Sequence, residues 1–508
     1  MQSFTVYLTN LLMREPDLQP ITESCKPLCV DLDGTLIHTD CLFETLIGAI
    51  RLNPFVLFQV IGWLMKGRPI LKAELAKRFL PDPALLPWNE SVLEYVKKEK
   101  TNGRKTLLVT ASDHRVAKSI GDYTGLFDEV AASDGRKNLK SHRKAKHLEE
   151  RFGEKGFDYI GNEGCDLAIW KVAGKALLAN EDSRLENRAR AEGLQTESIG
   201  PARPALTNAI LKACRPHQWA KNLLLFLPIL TAHLYLQGEL LAKAGIAFVA
   251  MGLCASVVYL MNDLLDLESD RVHESKKKRP FASGNLPLHV GLLLLPILFL
   301  GSFGLAVGLV NLTFALMLGG YFVSTCAYSF HLKQRILVDV FMLSGLYSLR
   351  IWMGATIACE PGEKIGQGAI EISHWLITFS SLIFLSLAMA KRYSELHNLS
   401  LRKINQTSGR SYRVDDMHLI AQFGTISGYL AALVLALYVS SEKSMSLYSR
   451  PAVLWMICPL LLYWISRVWL ITCRGKMRED PVVFAVRDKI SYIVGALILL
   501  APFLADPK

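Results

Sequence analysis

Residues 244–273 read AGIAFVAMGLCASVVYLMNDLLDLESDRVH, an uncharged apolar run that ends in a cluster of acidic side chains. No Asp, Glu, Lys or Arg stands between residues 244 and 262. A helix needs about 20 mostly apolar residues to cross a bilayer, and this run has close to that length. The stretch therefore predicts a membrane-spanning helix that carries carboxylates at one end.

Similar apolar stretches fill the rest of the C-terminal part of the chain. Their lengths suit membrane helices, so residues 205–508 are predicted to form an all-α bundle of nine transmembrane helices. The nine predicted spans lie near 222–238, 244–261, 286–307, 311–330, 336–358, 373–390, 418–439, 451–471 and 490–505.

Charge in the connecting loops predicts the orientation of the bundle. Lys and Arg collect in the loops 262–285, 331–335, 391–417 and 472–489, whereas loop 359–372 is net acidic. Basic loops stay on the cytoplasmic side of a membrane, and no signal peptide opens the chain. We expect a multi-pass protein of a bacterial inner membrane with a cytoplasmic N-terminal part.

Composition excludes several other classes of protein. Lys and Arg number 57 against 46 Asp and Glu, a net charge of +11, and hydrophobic residues make up 51% of the 508 residues. That balance excludes an intrinsically disordered chain. The ten cysteines include no CxxC pair, so neither a zinc site nor a disulfide framework is indicated. The basic residues form no aromatic-interleaved face, and we expect no nucleic-acid partner.

Residues 20–200 are more highly charged and show a different periodicity. Short apolar runs at 28–36 (LCVDLDGTL), 106–112 (TLLVTAS) and 157–162 (FDYIGN) alternate with helical patterns. Strands that alternate with helices predict a doubly wound α/β domain with a parallel sheet. The apolar insert near residues 42–90 is predicted to be a small cap on this domain; contact with the membrane or the second domain is the alternative.

The end of the first predicted strand carries two carboxylates, Asp31 and Asp33, one residue apart. One of them, Asp31, is placed to attack phosphorus, while Asp33 protonates the leaving oxygen as a general acid. The chemistry needs Mg²⁺ to offset charge between these carboxylates and a phosphate.

The sequence Asp31-Leu32-Asp33-Gly34-Thr35 resembles the first motif of the haloacid dehalogenase (HAD) phosphatases. The resemblance implies a Rossmann-like fold in which Mg²⁺ is held by Asp31, Asp33 and Asp166. It implies that Thr110 and Lys144 bind phosphate, with Lys140 as the competing lysine. Asn162 stands where the family usually has an acid, so a catalytically dead domain remains the alternative.

In the membrane part, the spacing of Asp263, Asp266 and Asp270 predicts that the three share one face of a helix. Clustered carboxylates repel one another unless a cation holds them, and Mg²⁺ commonly bridges such acids to substrate phosphates. Lys276 and Arg279, which follow in the next loop, are candidates to bind the oxygens of a diphosphate.

This stretch resembles the first aspartate-rich motif of the UbiA superfamily of intramembrane prenyltransferases, over about residues 205–508. The chain thus looks like a fused HAD phosphatase and UbiA protein. A second aspartate-rich motif is incomplete, because only Asp339 remains there. In this respect the chain resembles the decaprenyl-phosphate phosphoribosyltransferase branch of the superfamily. The stretches that carry the likeness are Arg215 to Asn222, Tyr328 to Lys333, Tyr347 to Arg350, Lys391 to Glu395, and Asp480-Pro481 with Asp488.

The resemblance implies Mg²⁺-dependent transfer of phosphoribose from phosphoribosyl pyrophosphate (PRPP), or another diphosphate donor, to a polyprenyl phosphate lipid. Pyrophosphate is released, and the HAD domain then removes the 5′-phosphate, which supplies lipid-linked pentofuranose for glycan assembly. Asp339 is assigned a catalytic role on the sugar. The implied substrate-binding residues are Asn262, Lys333, Arg350, Tyr328, Arg215 and Lys221.

Two other functions remain open from the sequence. The first is a prenyltransferase that moves an isoprenyl group from its diphosphate to an aromatic acceptor, which a complete second aspartate motif would favour. The second is a membrane binding or transport protein with a degenerate HAD domain. For Arg215, Lys221, Lys391 and Arg392, a topology anchor at the membrane surface is the alternative to a substrate-binding role.

Overall fold

The chain folds into two compact units, each described by itself. The computed structural model describes residues 26–134, 139–357, 374–401, 411–477, 481–485 and 487–505. The first unit comprises the described residues up to 209 together with 264–290, and the second unit comprises 210–263 with the residues from 291 onward. Segment 264–290, expected to belong to the membrane part, therefore groups with the N-terminal domain.

The first unit is built on a parallel sheet of six strands in the order β3-β2-β1-β4-β5-β6. This arrangement confirms the predicted doubly wound α/β domain. The strands are β1 (Leu28–Val30), β2 (Thr106–Asp113), β3 (Glu129–Ser133), β4 (Asp158–Gly161), β5 (Ala176–Asn180) and β6 (Thr196–Gly200).

Helices cover the sheet, which explains why its central strands read as continuous apolar runs. In β1, Leu28 and Val30 pack into one core while Cys29 packs into the core on the opposite face. The helices of this part of the chain are α1 (Cys41–Leu52), α2 (Val56–Lys66), α3 (Arg68–Ala76), α4 (Glu90–Thr101), α5 (His114–Thr124), α6 (His142–Phe152), α7 (Leu167–Val172) and α8 (Ser183–Ala191).

Three of these helices, α1 to α3, form a cap between β1 and β2. Asp40 begins the cap, because its side chain accepts a hydrogen bond from the amide of Leu42 and satisfies a free N–H of the first helical turn. Ala49, Val56, Leu71 and Leu75 form the small core of the cap.

The remaining helices are α9 (Leu206–Cys214), α10 (Leu227–Thr231), α11 (Gly238–Leu265), α12 (Leu267–Val272), α13 (Leu288–Leu305), α14 (Leu312–Phe330), α15 (Val338–Thr356), α16 (His374–Leu401), α17 (Met417–Val439), α18 (Glu442–Leu447), α19 (Ile457–Cys473), α20 (Pro481–Ala485) and α21 (Lys489–Leu504). Of these, α12 lies in segment 264–290. In the part of the chain that the structure describes, six helices are long and apolar enough to cross a membrane: those built on α11, α13, α14, α16, α17 and α19.

The predicted count of nine spans is not confirmed. The stretch near 222–238 is broken into a 3-10 helix, Pro216–Phe226, and the short α10, and each begins with a proline at its first or second position. Near 336–358, α15 is helical but carries two buried charges, and the last predicted span forms the 16-residue α21.

Candidate functional site

The topology of the sheet places the predicted phosphatase residues together. The strand order reverses between β1 and β4, and ligands of open α/β sheets bind beyond the carboxyl ends of the strands at such a point. Asp31 follows β1 directly and Asn162 follows β4. Gly34 turns the chain with a φ of +75°, and a Cβ there would lie 2.3 Å from the Asn162 amide nitrogen. Only glycine fits this turn.

Asp33 is held by three hydrogen bonds. The Cys41 amide donates to Oδ1 at 2.7 Å, and the Ser112 hydroxyl donates to Oδ2 at 2.6 Å. The Thr110 hydroxyl, predicted to bind phosphate, lies 3.4 Å from the same Oδ2. These donors fix the orientation of the Asp33 carboxyl. The sequence analysis missed Ser112, although it follows Thr110 in the TLLVTAS run.

A lysine reaches Asp31 from α6. Lys144 Nζ donates to Asp31 Oδ1 at 2.8 Å and to the Tyr159 hydroxyl at 2.9 Å. Tyr159 in turn donates to Asp166 Oδ1 at 3.2 Å. Lys144 is buried, whereas the competing Lys140 is half exposed and lies 4.0 Å from Glu163. The structure thus places Lys144, not Lys140, against the predicted nucleophile.

Burial and crowding shift the ionisation of this cluster. Burial raises the pKa of Asp31 to about 6, Lys144 opposes that rise, and the charge of Asp166 adds to it. The pKa of Asp166 is likewise raised by burial, against the pull of Lys144 and of two backbone amides. One lysine therefore faces three carboxylates, and the site holds surplus negative charge.

Asn162 occupies the position where the HAD resemblance led us to expect an acid. Its Oδ1 accepts a hydrogen bond from the Thr35 hydroxyl at 2.9 Å, and its backbone amide donates to Asp166 Oδ2 at 3.0 Å. The side chain therefore faces the DLDGT turn and presents a neutral oxygen there.

A cap residue also reaches the site. Lys72 of α3 donates to the backbone oxygen of Ala111 in β2 at 2.6 Å. Burial and the charge of Asp33 raise the pKa of Asp40 to about 7, and the charge of Lys72 opposes that rise. The sequence analysis did not single out Lys72, because its helix is separated from β2 by about 30 residues of chain.

The donor set of this cluster fits Mg²⁺. Asp31, Asp33 and Asp166 supply hard carboxylate oxygens, and their charge exceeds that of Lys144. Within the described ranges, no group of three or more His, Cys, Asp or Glu side chains is arranged to hold a metal ion by itself.

The aspartate-rich stretch of the membrane part differs from the single helical face predicted for it. Helix α11 ends at Leu265, Asp266 stands at the break, and α12 begins at Leu267. The one-helix expectation was therefore wrong: the periodicity of the acids continues across a helix end.

Arginines hold two of these aspartates. In the second unit, Arg215 donates to both oxygens of Asp263 at 2.6 and 2.7 Å. In the first unit, Arg279 donates to Asp270 Oδ2 at 2.6 Å, and Lys276 lies 3.9 Å from Oδ1. Both carboxylates are buried, so each desolvated charge has a cationic partner.

Asp339, the acid of the incomplete second aspartate-rich motif, is also paired with a cation. Asp339 is fully buried, with Arg392 Nε 2.5 Å from Oδ2 and the Tyr412 hydroxyl 2.5 Å from Oδ1. Arg392 also donates to the Tyr328 hydroxyl and to Glu395. The structure thus holds Asp339 in a network of protein groups. Arg392, weighed from sequence as a topology anchor, is 1% exposed and lies at the centre of that network.

Arg350 lies in a different environment. It is 6% exposed, and it donates to three neutral oxygens, those of the Asn222 side chain, the Leu346 backbone and the Tyr321 hydroxyl, at 2.7 to 3.2 Å. Its guanidinium carbon lies 5.3 Å from the centre of the Tyr347 ring, and Lys221 Nζ lies 5.7 Å from the same centre. Two cations therefore share one tyrosine ring within the bundle.

The other predicted residues are positioned less tightly. Asn262 donates to the Ser329 hydroxyl at 3.1 Å. Lys333 lies in the 3-10 helix Leu332–Gln334 between α14 and α15. Asp488 caps α21 and accepts two hydrogen bonds from Arg467, while Asp480 lies outside the described residues.

Comparison with known proteins identifies the family. The sequence profile of the UbiA prenyltransferase family matches residues 225–487, just over half of the chain. The chain belongs to this family. It is a multi-pass membrane transferase of UbiA type, with an α/β domain at its N-terminal end.

Relatives extend the similarity beyond the UbiA region. An uncharacterized protein, y4nM, from Sinorhizobium fredii is 36% identical over 94% of this chain and 90% of its own length. The decaprenyl-phosphate phosphoribosyltransferase of Mycobacterium tuberculosis is 32% identical over 58% of this chain and 93% of its own length. A solved phosphoserine phosphatase aligns with a TM-score of 0.26 at 16% identity, over 34% of this chain and 92% of its own.

Proposed function

We propose that this UbiA-family protein is bifunctional. The second unit transfers phosphoribose from PRPP to a polyprenyl phosphate and releases pyrophosphate, and the first unit then removes the 5′-phosphate from the lipid-linked product. The product supplies pentofuranose for glycan assembly. The protein would lie in a bacterial inner membrane, with its N-terminal domain in the cytoplasm.

The environment of the buried Arg350 is the observation that carries the transferase half. A buried guanidinium without an acidic partner is costly unless an anion joins it. Among the described residues, the hydrogen bonds of Arg350 go to neutral oxygens. A donor that carries three phosphate groups, and an acceptor that is itself a phosphate, would supply the missing negative charge.

The aspartate-rich stretch would act on the leaving group. Asp263, Asp266 and Asp270 would hold Mg²⁺, which offsets the charge of the departing pyrophosphate. Arg215, Lys276 and Arg279, which neutralise two of these acids in the structure, would turn to pyrophosphate oxygens when the donor binds. Asn262 and Lys333 would orient the donor. An oxygen of the lipid phosphate bonds to the anomeric carbon as the bond from that carbon to pyrophosphate breaks.

In this scheme Asp339 positions Arg392, which holds the Tyr328 hydroxyl, instead of reaching the sugar itself. Both of its oxygens are already engaged, at 2.5 Å each. Tyr328 and Arg392 remain candidates to bind the donor.

The phosphatase half follows from the groups around Asp31. Its carboxylate, held by Lys144, attacks the 5′-phosphorus while Asp33 gives its proton to the departing ribose oxygen. Water then attacks the aspartyl phosphate, Asp33 takes the proton from that water, and phosphate leaves. Asp31, Asp33 and Asp166 would hold the Mg²⁺ that this chemistry requires, Thr110 would bind the phosphate, and Asn162 would contribute its amide oxygen.

Detergent-solubilised protein with polyprenyl phosphate, Mg²⁺ and ribose-labelled PRPP tests the proposal. We expect label in the lipid extract, without its terminal phosphate. Asp31→Asn should leave the phosphorylated lipid intermediate, and Asp263→Asn should leave no labelled lipid.

A parallel reaction offers a labelled prenyl diphosphate and an aromatic acceptor. Product only in that reaction would overturn the donor assignment. Labelled lipid that keeps its phosphate with the wild-type chain would overturn the phosphatase half alone.

A further inference from the structure

The outer face of cap helix α2 is apolar and open to solvent. Its exposed side chains are Leu57, Phe58, Ile61, Leu64 and Met65, with Phe58 73% and Met65 85% exposed. These positions follow the 3.6-residue period of a helix, so they form one stripe. Leu52 and Phe55, just before the helix, are also exposed and extend the stripe. A patch of this composition in a folded domain marks a binding surface.

The opposite face of α2 fixes the helix to the cap. Val56 is buried in the cap core, and Val60 and Trp63 pack against that core. The guanidinium of Arg78 lies 4.2 Å from the centre of the Trp63 ring. Since the inner face is already occupied, the cap as it stands leaves the outer stripe exposed.

Length and charge indicate what covers the stripe. Eleven residues make a helix of about 16 Å, roughly half the thickness of the hydrocarbon core of a bilayer, so α2 cannot cross it. Arg51, Lys66 and Arg68 lie exposed at the ends of the stripe. An apolar face bordered by basic residues is typical of helices that lie in the surface of an anionic membrane.

The connectivity of the first unit joins the cap to two candidate membrane spans. Helix α1, which precedes α2, holds segment 264–290 through two ion pairs: Glu44 with Arg271, and Arg51 with Glu268. That segment directly follows α11 and runs into α13, both of which are candidate membrane spans. The cap is therefore attached to the stretch of chain that connects these two candidate spans.

We propose that the exposed stripe of α2, with Leu52 and Phe55, inserts into the headgroup region of the bilayer. Lys66 and Arg68 then face the phosphates of anionic phospholipids. The first unit is thereby held against the membrane surface by a contact additional to the membrane spans. The inference goes beyond the proposed activity and does not depend on it.

Photo-crosslinking of the full chain tests this contact. The chain is reconstituted in nanodiscs of phosphatidylcholine and phosphatidylglycerol, with p-benzoylphenylalanine in place of Phe58 or, separately, Met65. Tyr123 of α5, 57% exposed in the same unit, is the matched control position. After irradiation, mass spectrometry measures the fraction of each peptide that carries one added lipid.

We expect the lipid adduct at positions 58 and 65 to exceed that at position 123 by about tenfold, because only α2 enters the interface. A lipid yield no higher than at position 123 would overturn the proposal. Crosslinks to another part of this chain or to a second copy, without lipid, would do the same. The two insertion sites guard against one misfolded variant, and the readout uses no substrate, so it is independent of catalysis.

Discussion

The acids around Asp31 and the acids buried in the helical unit are neutralised in opposite ways. Around Asp31, three carboxylates face one buried lysine, and negative charge remains in excess. In the helical unit, Asp263 is paired with Arg215 and Asp339 with Arg392. The first arrangement suits a site that binds a cation, and the second stabilises charge inside an apolar bundle.

Access to water explains the difference. The Asp31 side chain is 14% exposed at the open ends of the strands, whereas Asp339 is 0% exposed. An unmatched charge at the edge of a sheet keeps part of its hydration, but an unmatched charge in a membrane bundle does not. Removal of Asp31 should therefore mainly affect activity, and removal of the fully buried Asp339 should mainly affect stability.

The largest expected effect is on hydrolysis by Asp31→Asn. Loss of the nucleophile should lower the rate of 5′-phosphate release by about 10³-fold or more. Thermal stability should be unchanged or higher, because a surplus negative charge has been removed. Phosphate release and the unfolding midpoint are measured together, with Lys140→Gln as the surface control. A marked drop in the unfolding midpoint would show that the charge of Asp31 is needed to neutralise Lys144.

Asp339→Asn should give the opposite result. It leaves Arg392 buried with less negative charge around it, at a cost of about 3–5 kcal/mol. The double variant Asp339→Asn with Arg392→Gln should recover much of the thermal midpoint in detergent, since neither charge remains. Arg467→Gln, in the more exposed pair with Asp488, is the control with a smaller loss. A double variant no more stable than the single one would contradict the idea that Asp339 stabilises the fold by neutralising Arg392.

The pair between Glu44 and Arg271 tests the same principle inside the first unit. Both side chains are buried, so Glu44→Gln should lower stability by about 3 kcal/mol. Glu268→Gln breaks the neighbouring exposed pair with Arg51 and should cost at most about 1 kcal/mol. Thermal unfolding of the two variants gives the comparison. Equal losses would mean that burial does not set the strength of these pairs.

Asn162→Asp would increase the surplus of negative charge. We expect it to lower the Mg²⁺ concentration for half-maximal hydrolysis by about tenfold, because a fourth carboxylate joins the site. Without Mg²⁺ the variant should be less stable than wild type, and added Mg²⁺ should restore it. Asn162→Ala is the control. If Asn162→Asp leaves the required Mg²⁺ concentration unchanged, residue 162 is not a ligand of the ion.

The smallest effect concerns acid stability. Burial, with the charge of Arg203, lowers the pKa of His38 to about 4 from 6.5, and its Nδ1 has no hydrogen-bond partner among the described residues. The folded unit favours neutral His38, so stability present above pH 6.5 is lost as the pH falls towards 4. His38→Gln should reduce the fall in unfolding midpoint between pH 7.5 and 5 by about 2–4 °C. His114→Gln, at an exposed histidine, should leave that fall in the unfolding midpoint unchanged.

The sequence predicted those features that are local in the chain. Apolar runs ending in acids indicated strands followed by acidic loops, and β1 is followed by Asp31 and Asp33 as the pattern indicated. Asp263 likewise stands at the end of a membrane-length helix. These predictions hold because period, length and charge act over a few residues.

Pairings between distant residues were decided by tertiary structure alone. No pattern in the sequence connects Glu44 with Arg271, which are 227 residues apart, or Asp339 with Arg392. Ser112 and Lys72 reach the phosphatase site only because β2 and α3 pack there.

The break in the predicted span near 222–238 coincides with prolines, which the sequence itself contains. The apolar run near 222–238 was long enough for a membrane helix, but Pro216 and Pro228 mark the starts of shorter helical pieces. Composition determined which segments avoid water and which residue types can bind phosphate. Packing determined which charges meet, because a buried charge is stable only where the fold brings it a partner.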